Sequence, residues 1–362
     1  MVSKENLEVY KKIPRNAGII LTPNHADEMD PRVCFELSRI TGRRMVFMCN
    51  REAFDEIGGI AGWFLQRLGA FSVERGGHDV AAKQYAIKTV IDARNDLVIF
   101  PEGEIFYLNE SVQPFHSGAI DIGLQAIEER RMRDPDWEAY ILPLSIKYRF
   151  TEAMHDILEA RVKKMEEHLA KGMTGDSVHE RLKGVMSEYL RRGELEHNIS
   201  ADAQYGDLAE RIERLRHVVL SDVGAKYKQA YAEQSRTIDK AFQLGAHLRE
   251  RLSKTLSTEH QSEYTEDLGK LKEVQHLVSW RPDYVDEKPS AERLAEMTLK
   301  LERELFKLKR PEQLGKREVT LRLGEPIGLS GHLAEYKANP HSLRSTLADL
   351  LRSKIQSLIN ES

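Results

Sequence analysis

Cysteine is almost absent. Cys34 and Cys49 are the only two in 362 residues, too few for a disulfide framework and without the spacing of a metal site. Both fall in segments that read as buried helix and strand, so a reducing, cytoplasmic setting with no metal and no resident cofactor is expected. No stretch reaches the roughly 18 uncharged apolar residues that a membrane-spanning helix needs, and the opening MVSKENLEVYKK has no apolar signal core. Any membrane would therefore have to be met from its surface, and with a cytoplasmic setting the expectation is a peripheral position on its inner face. Charge of one sign is also missing. The 54 Lys and Arg nearly cancel the 58 Asp and Glu, leaving a net charge of -4, and that balance gives no ground for nucleic-acid binding. There is no fixed-period repeat.

What the chain does have is apolar content, 41% of residues, enough for a proper core. Up to about residue 150, short apolar runs alternate with helical patterns, which predicts a wound α/β sheet. Strands are predicted at Ala17 to Thr22, Met45 to Cys49, Ala70 to Val73, Leu97 to Phe100 and Tyr140 to Tyr148. Amphipathic helices are predicted at Pro31 to Ile40, Gly59 to Leu68, Val80 to Arg94 and Gly118 to Arg130.

From about 151 to 315 the strand signals vanish, and Glu, Lys, Arg, Ala and Leu dominate. Leu208, Ile212, Leu215 and Val219 repeat at helical spacing, as do Ile238, Phe242, Leu248 and Leu252 around Gly245. These read as core-facing seams, with a break at SWRPDYVDEKP (Ser279 to Pro289) before a last long helix to about Lys309. After Gly315 a strand returns, Val319, Leu321 and Leu323 alternating with Thr320 and Arg322, and a final helix carries Leu343, Leu347, Leu350, Leu351, Ile355 and Leu358. A lone strand and helix cannot make a domain. The expected layout is one α/β core built from 1–150 and 316–362, a central sheet flanked by helices, interrupted by a helical insertion at 151–315.

The chemistry-bearing residues gather at strand ends. GIILTPNHADEMDP places His25 just past an apolar strand and five positions before Asp30. A histidine acting as general base keeps one ring nitrogen free for the incoming proton while the other donates to a carboxylate that fixes the tautomer, and Asp30 can supply that carboxylate. Preceding Pro31, Asp30 also reads as the N-cap of the next helix. The spacing recurs at His116/Asp121, His197/Asp202 and His217/Asp222, but only His25 follows a buried-looking strand and leads into a helix. A second strand end, LVIFPEGE, points Glu102 and the bare backbone of Gly103 toward the same edge of the sheet. In FSVERGG, Arg75 ends a strand before two glycines and could hold a phosphate by paired hydrogen bonds.

Taken together these blocks resemble the glycerolipid acyltransferase family, the group that includes 1-acylglycerol-3-phosphate acyltransferases. In that family the order is a strand into Asn-His-x4-Asp, a Phe-x-x-x-Arg block, Phe-Pro-Glu-Gly, and an apolar strand with a central proline. Here the blocks stand as NHADEMD (Asn24 to Asp30), FSVER (Phe71 to Arg75), FPEG (Phe100 to Gly103) and ILPLSI (Ile141 to Ile146), and VTLRLGEPI is similar to the family's closing element. The likeness covers about residues 15 to 150 and 316 to 360 and does not extend to the helical insertion.

The resemblance implies that His25, oriented by Asp30, deprotonates a glycerolipid-type hydroxyl for direct attack on the thioester of acyl-CoA or acyl carrier protein, as in phospholipid biosynthesis. It implies that Arg75, Glu102 and Gly103 bind the acceptor while Asn24, Phe100, Pro101 and Pro143 shape the site. Where the family continues Thr-Arg-Ser after FPEG, this chain reads Glu104, Ile105, Phe106. That exchange trades a hydroxyl and a cation for a carboxylate, and it leaves the acceptor open between a lysophospholipid and another hydroxylated lipid or an amine. GGIAGWFLQRLGAF offers Ile60, Trp63, Phe64 and Leu68, after Gly58 and Gly59, as a core helix or a membrane-inserting one, with Arg39, Arg43, Arg44 and Arg51 nearby for anionic headgroups. Two other readings compete: a catalytically retired scaffold binding a partner protein through its helical insertion, and an acyl-thioester hydrolase.

Overall fold

The computed structural model describes residues 4–55, 59–76, 79–200, 206–228 and 235–362. Of the residues singled out above, Gly58, Gly77 and Asp202 lie outside these. The chain divides into two compact units, one made of 1–74, 78–148 and 318–362, the other of 75–77 and 149–317.

The first unit is built on a seven-stranded sheet. Its strands are β1 (Gly18–Pro23), β2 (Met45–Asn50), β3 (Ala70–Val73), β4 (Asp96–Val98), β5 (Ala139–Phe150), β6 (Arg317–Leu323) and β7 (Ile327–Gly328). Their order is β3-β2-β4-β1-β5-β6, with β7 pairing antiparallel to β5. The first five are mutually parallel. A central parallel strand is covered on both faces and so reads as an unbroken apolar run rather than an alternation, and every residue of β1 is buried. The two faces are covered separately. Ile19, Leu21, Leu142, Leu144 and Ile146 pack toward Cys34 and Leu37 of the helix Asp30–Thr41. Ile20, Leu97 and Ile141 pack toward the helices Val80–Asp92, Gly118–Arg131 and Pro340–Asn360.

The expected strands and helices of this unit are present with ends shifted by a few residues. β4 stops at Val98 rather than Phe100. Ile99 still donates to Leu21 O (3.0 Å), but Pro101 has no N–H with which to continue the ladder. The Val80–Asp92 helix begins at an Asp79 cap that accepts from Ala82 N–H at 3.0 Å. At the opposite edge of the sheet, Arg43 makes a paired 2.8 Å contact with buried Asp96, which also accepts from Tyr10 of the helix Lys4–Lys11. Burial pushes the Tyr10 hydroxyl well above the usual phenol range, with the Asp96 charge acting in the same direction.

β1 ends before β5 does, and two asparagine side chains take over its hydrogen bonds. The Asn24 amide donates to Ile146 O at 3.0 Å and accepts from Ile146 N–H at 2.7 Å. Two residues further along, the Asn109 amide does the same with Tyr148, at 2.8 and 2.7 Å. A primary amide carries the same donor and acceptor as a peptide group, so each extends the ladder by one rung without a strand. Pro143 lies inside β5 opposite Thr22, its carbonyl accepting from Gly324 N–H at 2.9 Å.

The second unit is helical: His155–Leu169, Val178–Glu196, Leu208–Lys226, Thr237–Lys254, Thr258–Val278, Pro282–Glu287 and Ala291–Leu305. The apolar seams face inward, with Ile212, Leu215, Val219, Ile238, Phe242 and Leu248 buried. Gly245 interrupts the apolar stripe but lies within the continuous helix Thr237–Lys254.

Asn109→Ala leaves a buried N–H and a buried C=O of Tyr148 without partners, at about 1–3 kcal/mol for each group. The unfolding free energy from chemical denaturation is expected to drop by about 2–4 kcal/mol, with an unchanged m-value.

Candidate active site

The carboxyl ends of β1 and β4 meet at one edge of the sheet, the usual place for a site in an open α/β fold. From β1 the chain passes through Asn24, locked to β5, into His25. The His25 Nδ1 lies 2.9 Å from Asp30 Oδ2, and its side chain is 14% exposed while that of Asp30 is 0% exposed. Nε2 has no hydrogen-bond partner among the described residues. A ring nitrogen fixed to a carboxylate and an opposite nitrogen left open is the disposition a general base needs.

Asp30 does not cap its helix. Met29 holds the cap position without a side-chain bond, and Asp30 is already helical. The reason is that its carboxylate is engaged elsewhere: Oδ2 also accepts from Asp27 N–H at 2.9 Å, and Oδ1 accepts from the Tyr148 hydroxyl at 2.6 Å. Burial raises the Asp30 carboxyl above the usual carboxylate range, while the bonds from His25, Tyr148 and Asp27 pull it back down.

From β4 comes the turn Phe100-Pro101-Glu102-Gly103, closed by Gly103 N–H to Phe100 O at 3.1 Å. Proline at its second position and glycine at its fourth suit a β-turn. The Phe100 ring stacks on the His25 imidazole, centroids 4.1 Å apart. Gly103 has φ +75°, and a Cβ there would sit 2.8 Å from the His116 ring, so glycine is required both for the backbone and for the space. The Pro101 carbonyl accepts from His116 N–H at 2.8 Å.

Glu102 faces inward, away from the acceptor role the resemblance implies. It is 3% exposed. One oxygen accepts from His25 N–H at 2.7 Å and the other from Gln113 N–H at 3.0 Å. Burial pushes its carboxyl up to about 8, against the two backbone N–H groups that favour the ionised form. The backbone of His25 is thus held on both sides, since its carbonyl accepts from Phe106 N–H at 3.4 Å. Arg75 groups with the helical unit, its guanidinium lying 4.4 Å from the centroid of the Phe242 ring.

Of the competing His-x4-Asp pairs, that of His116 has its aspartate engaged elsewhere: Asp121 is bound by Lys83 (2.6 Å), Tyr336 (2.7 Å) and Arg344 (3.0 Å). Asp222, the partner by spacing of His217, is exposed and lies 3.8 Å from His197. Among the described residues no group of three or more His, Cys, Asp or Glu is arranged to hold a metal ion.

Tyr148, Asn109 and Gln113 were not singled out by sequence, and Phe106 stood out only as a departure from the family's Thr-Arg-Ser continuation. Tyr148 was the legible one. Leu142, Leu144, Ile146 and Tyr148 alternate on the face that packs on the Asp30–Thr41 helix, and only tyrosine ends in a polar group that needs a partner there. The others act through backbone N–H or amide groups, which leave no pattern in side-chain type.

Fold and site together define a three-layer α/β domain with a hydrogen-bonded His25–Asp30 pair at the carboxyl edge of its parallel strands. Residues 5–147 match the family model described as Acyltransferase, and this stretch is similar to the glycerolipid acyltransferases. No curated protein and no solved structure matches the chain.

The raised carboxyl of Glu102 has a signed consequence for stability. Its folded value of about 8 lies above the 4.5 of an ordinary glutamate carboxyl, so the native state binds the proton more tightly than the unfolded one. The associated stability is present below about pH 4.5 and is lost as pH rises through about 8. Denaturant midpoints measured between pH 5 and 8.5 are expected to fall with pH, and Glu102→Gln, though weaker overall, is expected to flatten that slope.

Proposed function

We propose that the protein is an O-acyltransferase that moves a fatty acyl group from acyl-CoA or acyl carrier protein to a glycerolipid-type hydroxyl. The observation that carries this reading is the His25 Nδ1 to Asp30 bond of 2.9 Å with Nε2 left open, inside a stretch that matches the acyltransferase family.

In this reading Nε2 removes the proton from the acceptor hydroxyl as its oxygen attacks the thioester carbonyl carbon. The tetrahedral intermediate collapses with cleavage of the C–S bond. The departing thiolate takes the proton back from the imidazolium, so the base is regenerated and neither a serine nor a cysteine nucleophile is used. Asp30 keeps the proton on Nδ1 and stabilises the imidazolium, in the manner of a buried carboxylate behind a catalytic histidine. Phe100 sets the plane of the ring, and Glu102 sets the backbone from which it projects. Both are positioning residues. With Glu102 turned inward and Arg75 stacked on Phe242, the acceptor class remains broader than phosphate-bearing lipids and includes other lipid alcohols.

Purified protein is incubated with acyl-CoA or acyl carrier protein and a panel of lysophospholipids and other lipid alcohols, following thiol release together with acylated product. Release that requires an acceptor supports transfer, whereas release without one assigns a hydrolase. His25→Ala is expected to lower turnover by about 10²–10⁴-fold, the usual contribution of a general base, while unfolding stays cooperative. Turnover equal to the starting protein in this variant would overturn the assignment.

A further inference from the structure

The helix Ile60–Arg67 is built inside out. Its one buried residue is Gly62, where a Cβ would sit 2.8 Å from the Phe54 carbonyl oxygen, so the absent side chain lets the helix lie close on its neighbour Arg51–Asp55. The large apolar side chains point the other way. Ile60 is 57% exposed, Trp63 51%, Phe64 57% and, just past the helix, Leu68 54%. Their spacing of three, four and eight positions from Ile60 puts them on one face. Side chains of this kind left in water on a common face mark an interaction surface.

We propose that this face docks the protein on a lipid bilayer. Three observations select a bilayer over a protein partner. The face is small: a half-exposed aromatic or aliphatic side chain offers on the order of 100 Å², and four of them fall well short of the about 800 Å² per partner of a standard protein interface. Its composition is interfacial, with the Trp63 and Phe64 rings meeting edge to face at 4.8 Å and the Arg67 guanidinium 3.4 Å from the centroid of the Trp63 ring. An indole with a cation on its face suits the headgroup region, where the ring enters the acyl boundary and the charge remains among phosphates. Its place is also right. β2 runs parallel to β1 through β4, so its end at Asn50 opens on the edge that holds His25, and Arg51–Asp55 follows directly. The surface thus begins at the edge of the sheet where a water-insoluble acceptor would be presented.

The docking rests on the acyl-transfer reading for its purpose, but its test needs no turnover. The full chain is sedimented with extruded phosphatidylcholine vesicles and with vesicles containing phosphatidylglycerol, alongside Trp63→Gln/Phe64→Gln and His25→Ala. The starting protein and His25→Ala are expected to co-sediment with vesicles, and the double variant is expected to bind about tenfold more weakly or less. The double variant is expected to keep its turnover on a short-chain, water-soluble acyl thioester and alcohol. Failure of the starting protein to sediment with either vesicle, or equal binding by the double variant, overturns the proposal. A concentration-dependent dimer in analytical ultracentrifugation that the double variant abolishes would also overturn it, assigning the face to a second copy. If His25→Ala binds vesicles but no protein turns over, the docking stands and the catalytic reading falls.

Discussion

A carboxylate taken wholly out of water is tolerated only if its oxygens find hydrogen bonds, and the site depends on how Asp30 meets that requirement. Its three partners come from two places in the chain: the His25 ring and Asp27 N–H in the loop after β1, and the Tyr148 hydroxyl near the end of β5. Satisfying one buried charge therefore fixes the loop conformation, the first turn of the helix Asp30–Thr41 and the tautomer of the imidazole together. Replacing any of these donors with an apolar group would leave the same charge less well compensated. This explains why Asp30 sits one position inside its helix rather than at the cap: capping would spend on the helix an oxygen that the histidine needs.

Glu102 performs the parallel task for the backbone. A side chain can be aimed only as accurately as its main chain is held, and His25 stands on a loop, the least rigid kind of scaffold. Its N–H is bonded to Glu102, its carbonyl to Phe106, and the residue before it is locked to β5 by both ends of its amide. The Phe-Pro-Glu-Gly block is thus largely a brace. Phenylalanine supports the ring, proline ends the strand, glutamate holds the histidine backbone, and glycine makes room for His116. The raised carboxyl of Glu102 is the energetic cost of that brace, since two backbone donors only partly replace the water the group has lost.

Much of this was legible in the sequence because the α/β core obeys local rules. Buried parallel strands are continuous apolar runs, and the helices between them carry periodic stripes, so β1, β2, β3 and β5 fall within a few residues of expectation. His25 and Asp30 were legible because a strand end followed by a helix start brings positions five apart into reach. The role of Glu102 was not, since a carboxylate after an apolar strand reads equally well as a ligand for substrate or a partner for backbone. Which one it becomes depends on whether Gln113, eleven residues on, folds back to meet it. Nor were the asparagine rungs visible, because substitution of a side-chain amide for a strand depends on β1 ending before β5, a tertiary fact.

The helix Ile60–Arg67 shows what periodicity can and cannot decide. Its apolar residues recur at helical spacing, as do those of the seams in Leu208–Lys226 and Thr237–Lys254, yet Ile212, Leu215, Val219, Ile238, Phe242 and Leu248 are buried there and this face is open. The difference lies on the opposite face. A helix whose stripe enters a core puts polar residues outward, whereas this one turns its smallest residue inward and packs through backbone proximity at Phe54. Close packing through glycine holds the element in place with little help from its own large side chains, leaving them available. The core thus gives up apolar area it could have buried, and such an arrangement persists where the exposed face has something of its own to bind.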